Sequence, residues 1–147
     1  MKPIYFSKPF VGGPEMKAEP PIRTDSNIGR CVDGDYNFDN PLPTSNVLIG
    51  NKAGNVCTTA QAIWDTGCAR TCISSRLAKE LGFTGGKFVT GTIRVAVDLM
   101  YEDVELAVYD LPRGIDVLIG MDIISTGELC FIPDPEQKRG YFRFVTK

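Results

Sequence analysis

A chain of 147 residues, 43% hydrophobic and 23% charged, is sized and composed for one globular domain with a core of its own. Its net charge of −2, with no long run of Lys or Arg, argues against nucleic acid or an anionic membrane as partner. No apolar stretch reaches the length of a membrane span, and MKPIYFSKPFVGG lacks the apolar core of a secretory signal, so a cytoplasmic protein is expected.

Residues 1–45 open the chain with frequent prolines and little periodicity, and read as an extended N-terminal arm closed by Pro41 and Pro43. Within it Asp33, Asp35, Asn37 and Asp39 alternate like the start of a calcium loop. Phe38 stands where such a loop needs glycine, and prolines follow where a helix should, so a polar turn is the plainer reading and no metal is expected. Residues 46–147 read as a single domain. Val47-Leu48-Ile49 is a short apolar strand, with a turn over Asn51 to Gly54 and a second strand over Val56 to Trp64. A helix is expected after Ser74 or Ser75 as cap, with Leu77, Ala78 and Leu81 on its apolar face and Gly82 at its end.

Ile93, Val95, Val97 and Leu99 alternate with polar or small residues, as do Val104, Leu106 and Val108. With a turn at Tyr101-Glu102-Asp103 they read as a hairpin. Ile115 to Ile119 is a further strand stopped by Gly120, with a short helix over Asp122 to Ser125. Leu129 to Ile132 and Tyr141 to Val145 are two more strands joined by PDPEQKRG. Many short strands and one or two short helices make the class all-β, a small closed or sandwiched β fold.

The five cysteines are Cys31, Cys57, Cys68, Cys72 and Cys130. An odd count without an export signal reads as reduced, semi-buried thiols rather than a disulfide framework, and Cys68 and Cys72 do not have CxxC spacing. Histidine is absent. That removes serine–histidine and cysteine–histidine catalysis and histidine metal sites, leaving carboxylates, Lys, Tyr or Cys as acid and base.

Two stretches carry the chemistry. In AIWDTG an apolar strand delivers a carboxylate, Asp65, to its end, where burial is costly unless the group is paired or used. Gly67 permits a tight path close to a ligand or another chain, and Thr66 supplies a hydroxyl. Capping of a local turn by Asp65 is the plain alternative. In IDVLIGMDIISTG a second apolar strand again runs into a glycine and a short helix, so the two stretches look like matched halves.

DTG followed by an apolar-apolar-Gly triplet in this order resembles the retropepsin-type aspartic proteases, the retroviral proteases and their cellular relatives. VLIGMDIISTGEL with the closing strand YFRFV is especially similar to the bacterial retroviral-like aspartic proteases. The resemblance covers residues 46–147. It implies a retropepsin-like closed β-barrel, a homodimer, and peptide-bond hydrolysis by a water activated between two Asp65 carboxylates, one from each subunit, without cofactor or metal. It further implies that Thr66 links the two active-site loops and that Gly67 lies against substrate. Leu118, Ile119 and Gly120 would pack beneath the aspartate loop, and Phe142 to Thr146 would pair with the partner's termini. The expected partners are a second copy and a peptide or unfolded protein.

The flap of that family has only a short counterpart, FTGGKFVTGT, with Gly85, Gly86 and Gly91; an ordinary loop is the alternative. Position 68 holds Cys where Ala or Ser is usual. Arg70 and Asp122 invite an ion pair joining the two motifs, or stand separately solvated. A protein that keeps the fold as a dimerisation or peptide-binding module is the competing function.

Overall fold

The computed structural model describes residues 3–5 and 31–147. Its strands are β1 (Pro3–Tyr5), β2 (Cys31–Asn37), β3 (Thr44–Asn51), β4 (Val56–Trp64), β5 (Cys72–Ser74), β6 (Phe88–Ala96), β7 (Leu99–Tyr109), β8 (Val117–Ile119), β9 (Gly127–Asp134) and β10 (Arg139–Thr146). The helices are α1 (Ser75–Glu80) and α2 (Met121–Ile124). Of the arm expected over residues 1–45, residues 1–2 and 6–30 lie outside the described residues, while Cys31–Asn37 form a strand of the main sheet.

Six strands close on themselves. β3 pairs with β4, β4 with β8, β8 with β5, β5 with β7, β7 with β6, and β6 returns to β3. The β4–β8 and β5–β7 pairs are parallel and the other four antiparallel. Closure leaves this ring without a free edge. From β3 the sheet continues outward through β2 and β10 to β9, and β1 adds to β7.

The apolar alternation visible in the sequence fills the ring. Val47, Ile49, Ile93, Leu99, Leu106, Val117 and Ile119 are all fully buried. Trp64, at the end of β4, packs against Phe142 and Phe144 of β10 with ring centroids 5.9 and 5.0 Å away. Its indole N–H donates to Ser45 Oγ at 2.9 Å, so the polar end of this buried ring is satisfied.

α1 forms as its sequence asks. Ser74 Oγ accepts from the Leu77 N–H at 3.0 Å, and Leu77 and Ala78 face inward. Gly82, at φ +68°, ends the helix, with the Phe83 N–H donating to the Ala78 carbonyl and its own N–H to that of Lys79. This is the double closing bond that a left-handed glycine makes available.

Two expectations are corrected. The hairpin turn lies at Val97-Asp98, not at Tyr101-Glu102-Asp103, and β7 runs unbroken from Leu99 to Tyr109 with Tyr101 fully buried. The polar triplet marks a bulge: Gly91 faces Val104 and Ile93 faces Tyr101, so Glu102 and Asp103 together stand opposite Thr92. Asp103 takes a positive φ of 53° and Glu102 bonds Lys52 at 3.0 Å. The closing strand does not offer itself to a partner. β10 is hydrogen-bonded on one edge to β2 and on the other to β9, all within one chain.

Candidate active site

Asp65 follows Trp64 at the end of β4, and the parallel pairing of β4 with β8 sets Trp64 opposite Ile119. The two matched motifs therefore lie side by side. The Asp65 N–H donates to the Ile119 carbonyl at 2.9 Å, which fastens the aspartate to the end of the second motif. The loop then folds around the carboxylate: Gly67 N–H donates to Asp65 Oδ1 at 2.9 Å, and Cys68 N–H to the Asp65 carbonyl at 3.1 Å. Asp65 is half-buried, while Thr66 and Gly67 are exposed. A Cβ at Gly67 would stand 3.2 Å from Asp65 Oδ1, so the glycine keeps that oxygen uncrowded.

The second motif supports this loop from beneath. Met121 N–H donates to the Cys68 carbonyl at 2.8 Å and Asp122 N–H to that of Ala69 at 3.2 Å. Gly120 is buried, and a Cβ there would overlap the Arg70 carbonyl carbon and stand 2.8 Å from Thr71 N. Ile119 is fully buried, whereas Leu118, one step along the strand, points into the groove beside Asp65. Of the three residues expected under the loop, Ile119 and Gly120 lie there and Leu118 faces the groove instead.

Arg70 and Asp122 do not pair. Arg70, exposed, bonds Glu105 of β7 and lies over the Phe88 ring at 5.7 Å. Asp122 is engaged by Thr71, whose Oγ1 donates to Oδ1 at 2.7 Å and whose N–H reaches both carboxylate oxygens at 3.0 Å. Thr71 Oγ1 also accepts from Gly120 N–H at 3.1 Å, and Thr71 is fully buried. The link between the motifs is thus a buried threonine hydroxyl with both lone-pair and proton used. A threonine beside an acidic residue 51 positions away carries no local signal, which is why the sequence pointed to the charged neighbour.

The glycines of the candidate flap separate. Gly85 and Gly86 are exposed in the connection between α1 and β6. Gly91 is buried inside β6, where a Cβ would stand 2.9 Å from both the Gly50 carbonyl oxygen and a Leu106 methyl. Among the described residues, no separate hairpin stands between α1 and β6.

Behind the aspartate loop, Cys68 and Cys72 bring their sulfurs within 3.4 Å, and both thiols donate to the Arg70 carbonyl, at 2.9 and 3.1 Å. Burial, then the Cys68 thiol and the carboxylates of Asp122 and Asp65, push the Cys72 thiol up to about 12. The other cysteines, Cys31, Cys57 and Cys130, are exposed rather than semi-buried.

In front, Asp65 and Thr66 open onto a groove of about 490 Å³ walled mainly by apolar side chains, among them Pro43, Ile63, Leu111, Pro112, Ile115 and Phe131. A carboxylate edging an apolar groove is suited to acid–base work on an extended apolar chain. Among the described residues no three His, Cys, Asp or Glu side chains cluster as metal ligands. Of the alternating residues of the arm, Asp33, Asp35 and Asn37 lie along β2 and Asp39 beyond its end, with Asp33 bound by Arg143 at 2.5 and 3.0 Å. No helix among the described residues is long and apolar enough to cross a membrane.

No protein-family model matches this sequence, and no curated protein does. The structure is similar to the crystal structure of a retropepsin-like aspartic protease from Rickettsia conorii. The TM-score is 0.51 and the identity 17%, over 80% of this chain and 93% of that one. At that identity the likeness speaks for the fold: the barrel is retropepsin-like.

Proposed function

We propose that the protein is an aspartic endopeptidase, active as a homodimer in which each subunit brings one Asp65 to a shared site. The observation that carries the reading is the placement of Asp65. It ends β4 directly above the Ile119-Gly120 turn, in a retropepsin-like barrel, at the mouth of an apolar groove. One carboxylate alone lacks the proton donor that peptide hydrolysis needs, and the histidine-free chain has no imidazole to supply it.

Two such carboxylates face to face hold one proton between them. The ionised one takes a proton from water, which attacks the scissile carbonyl. The protonated one donates to the carbonyl oxygen as charge develops. Thr66 is exposed, and in the proposed dimer its hydroxyl meets its copy across the two-fold axis. With both edges of β10 already filled, the contact between subunits runs over the Asp65 face and not through an exchanged closing strand. The resemblance to bacterial retroviral-like proteases belongs to the same proposal.

Cleavage of an unfolded protein from acidic to neutral pH tests it, comparing wild type with Asp65→Asn at several protein concentrations. Activity is expected to fall by about 10³-fold or more in the variant, and to rise faster than linearly with concentration in the wild type. Equal cleavage by both proteins overturns the reading. The connection between α1 and β6, where Gly85 and Gly86 lie, forms no hairpin, and this favours a second reading, a peptide-binding module. There Asp65→Asn keeps the ligand and no turnover is lost.

A further inference from the structure

We propose that Cys68 and Cys72 are a reversible disulfide site that resets the loop carrying Asp65; as a control of catalysis this rests on the peptidase reading, and as a modification site it does not. The sulfurs stand 3.4 Å apart, share one acceptor in the Arg70 carbonyl, and belong to the segment that begins at the aspartate. Bond formation brings them to about 2.05 Å.

The two ends of that closure differ in freedom. Cys72 is the first residue of β5 and is paired with Ala107 on one side and Leu118 on the other. Cys68 lies in the loop, half-buried, held by single hydrogen bonds to Asp65 through its N–H and to Met121 through its carbonyl. The movement therefore falls on Cys68. Its N–H, now 3.1 Å from the Asp65 carbonyl, is drawn away, and the Gly67 N–H that holds Asp65 Oδ1 at 2.9 Å is next along the chain. Oxidation also removes both S–H donors from the Arg70 carbonyl, in the segment against which Gly120 is packed.

The chemistry balances with a hydroperoxide as oxidant. Cys68, the more accessible sulfur, attacks the peroxide as thiolate; the O–O bond breaks, alkoxide or hydroxide leaves and takes up a proton, and Cys68 becomes a sulfenic acid. The Cys72 sulfur then attacks that sulfur. The S–S bond forms, the S–O bond breaks, and the departing hydroxide carries off the Cys72 proton as water. Two thiols lose two electrons to one peroxide, and a dithiol reductant returns them. Buried and holding its proton tightly, Cys72 is shielded from direct attack by the peroxide, and its sulfur resolves the sulfenic acid because it stands 3.4 Å from that of Cys68.

The test uses the full chain with the exposed Cys31, Cys57 and Cys130 replaced by Ser, treated with hydrogen peroxide and then with dithiothreitol. Peptide mass mapping and amide hydrogen exchange are read in each state. The expected result is loss of two hydrogens in the peptide spanning Cys68 and Cys72, reversed by the reductant. Amide exchange over residues 65–72 should change at least about fivefold, and peptide hydrolysis should fall at least about tenfold and recover. Oxygen additions on Cys68 without a crosslink overturn the proposal. So does a crosslink that leaves exchange over 65–72 unchanged, or, in a protein that does hydrolyse peptide, one that leaves hydrolysis unchanged. A reversible crosslink with altered exchange, in a protein that hydrolyses nothing in either state, supports the disulfide site and overturns the peptidase reading.

Discussion

The two matched halves of the molecule do opposite things with the same plan. In the first, strand β4 ends in Asp65-Thr66-Gly67, with a half-buried carboxylate and two exposed neighbours. In the second, strand β8 ends in Gly120, buried against the backbone of Arg70 and Thr71. One turn is displayed and the other is filled. Under the proposed function, the difference is where catalytic and structural demands separate. The displayed turn keeps an oxygen open, whereas the filled turn spends its glycine on close approach. A single chain therefore holds one complete support and, in the proposed dimer, one half of an acid–base pair.

The harshest way to break that comparison is to fill the second turn further. Gly120→Ala puts a Cβ into the Arg70 carbonyl carbon, which is backbone and cannot swing aside. A loss of about 3 kcal/mol in unfolding free energy is expected, measured by urea denaturation. Gly67→Ala meets only Asp65 Oδ1, at 3.2 Å. It should leave stability within about 1 kcal/mol while lowering peptide hydrolysis. Equal stability losses at the two glycines would erase the distinction between a displayed and a supporting turn.

Next comes the tie between the halves. Thr71→Val keeps the shape but removes the hydroxyl that donates to Asp122 and accepts from Gly120. It leaves a buried N–H and a carboxylate oxygen short of partners, at a cost of about 2 kcal/mol, again read from the urea midpoint. A neutral result would mean that the backbone bonds from Met121 and Asp122 to the loop hold it unaided.

Much of this was legible beforehand, and the part that was not has physical reasons. Strands with period-two apolar patterns, the Ser74-to-Gly82 helix and both motifs announce themselves through local order. β5 spans only Cys72 to Ser74, too short for any period to register. β2 reads CVDGDYN, with Gly and two Asp that disfavour a strand, and exists through its pairing with β10. Asp103 mimics a turn because a bulge and a turn both tolerate its positive φ. The site shows the same split: Asp65, Thr66 and Gly67 are contiguous, while Thr71 matters only through contacts made across the fold.

A smaller effect sharpens the view from behind the loop. Cys72 is pushed up to about 12 from an ordinary 9.0, first by burial and then by the Cys68 thiol. The folded state thus keeps a proton that the unfolded chain releases. This contribution to stability is intact below pH 9.0 and is lost as pH rises towards about 12. Cys72→Ala should flatten the alkaline part of the stability curve. In the wild type at pH 8.5, iodoacetamide should modify Cys72 at least about tenfold more slowly than the exposed Cys57. Equal rates would mean that the space behind the loop is open to solvent.

The smallest effect concerns the charged residue that the sequence made most conspicuous. Arg70 sits in the displayed half, and its guanidinium reaches Glu105 across exposed surface, with both side chains more than half accessible at 56% and 55%. Water screens such a pair, and ordering two long side chains offsets most of the attraction, so Arg70→Ala should cost less than about 0.5 kcal/mol. Asp122, its expected partner, accepts instead from the Thr71 hydroxyl and N–H and from the Ile123 N–H. Asp122→Ala removes all of these and should cost about 2 kcal/mol. The double variant Arg70→Ala/Asp122→Ala decides between the two wirings. With no shared contact the two losses should add to within about 0.5 kcal/mol, and a larger coupling would restore the direct ion pair between the motifs. Additivity would leave the hydroxyl of Thr71 as the side-chain connection by which the supporting half holds the displayed one.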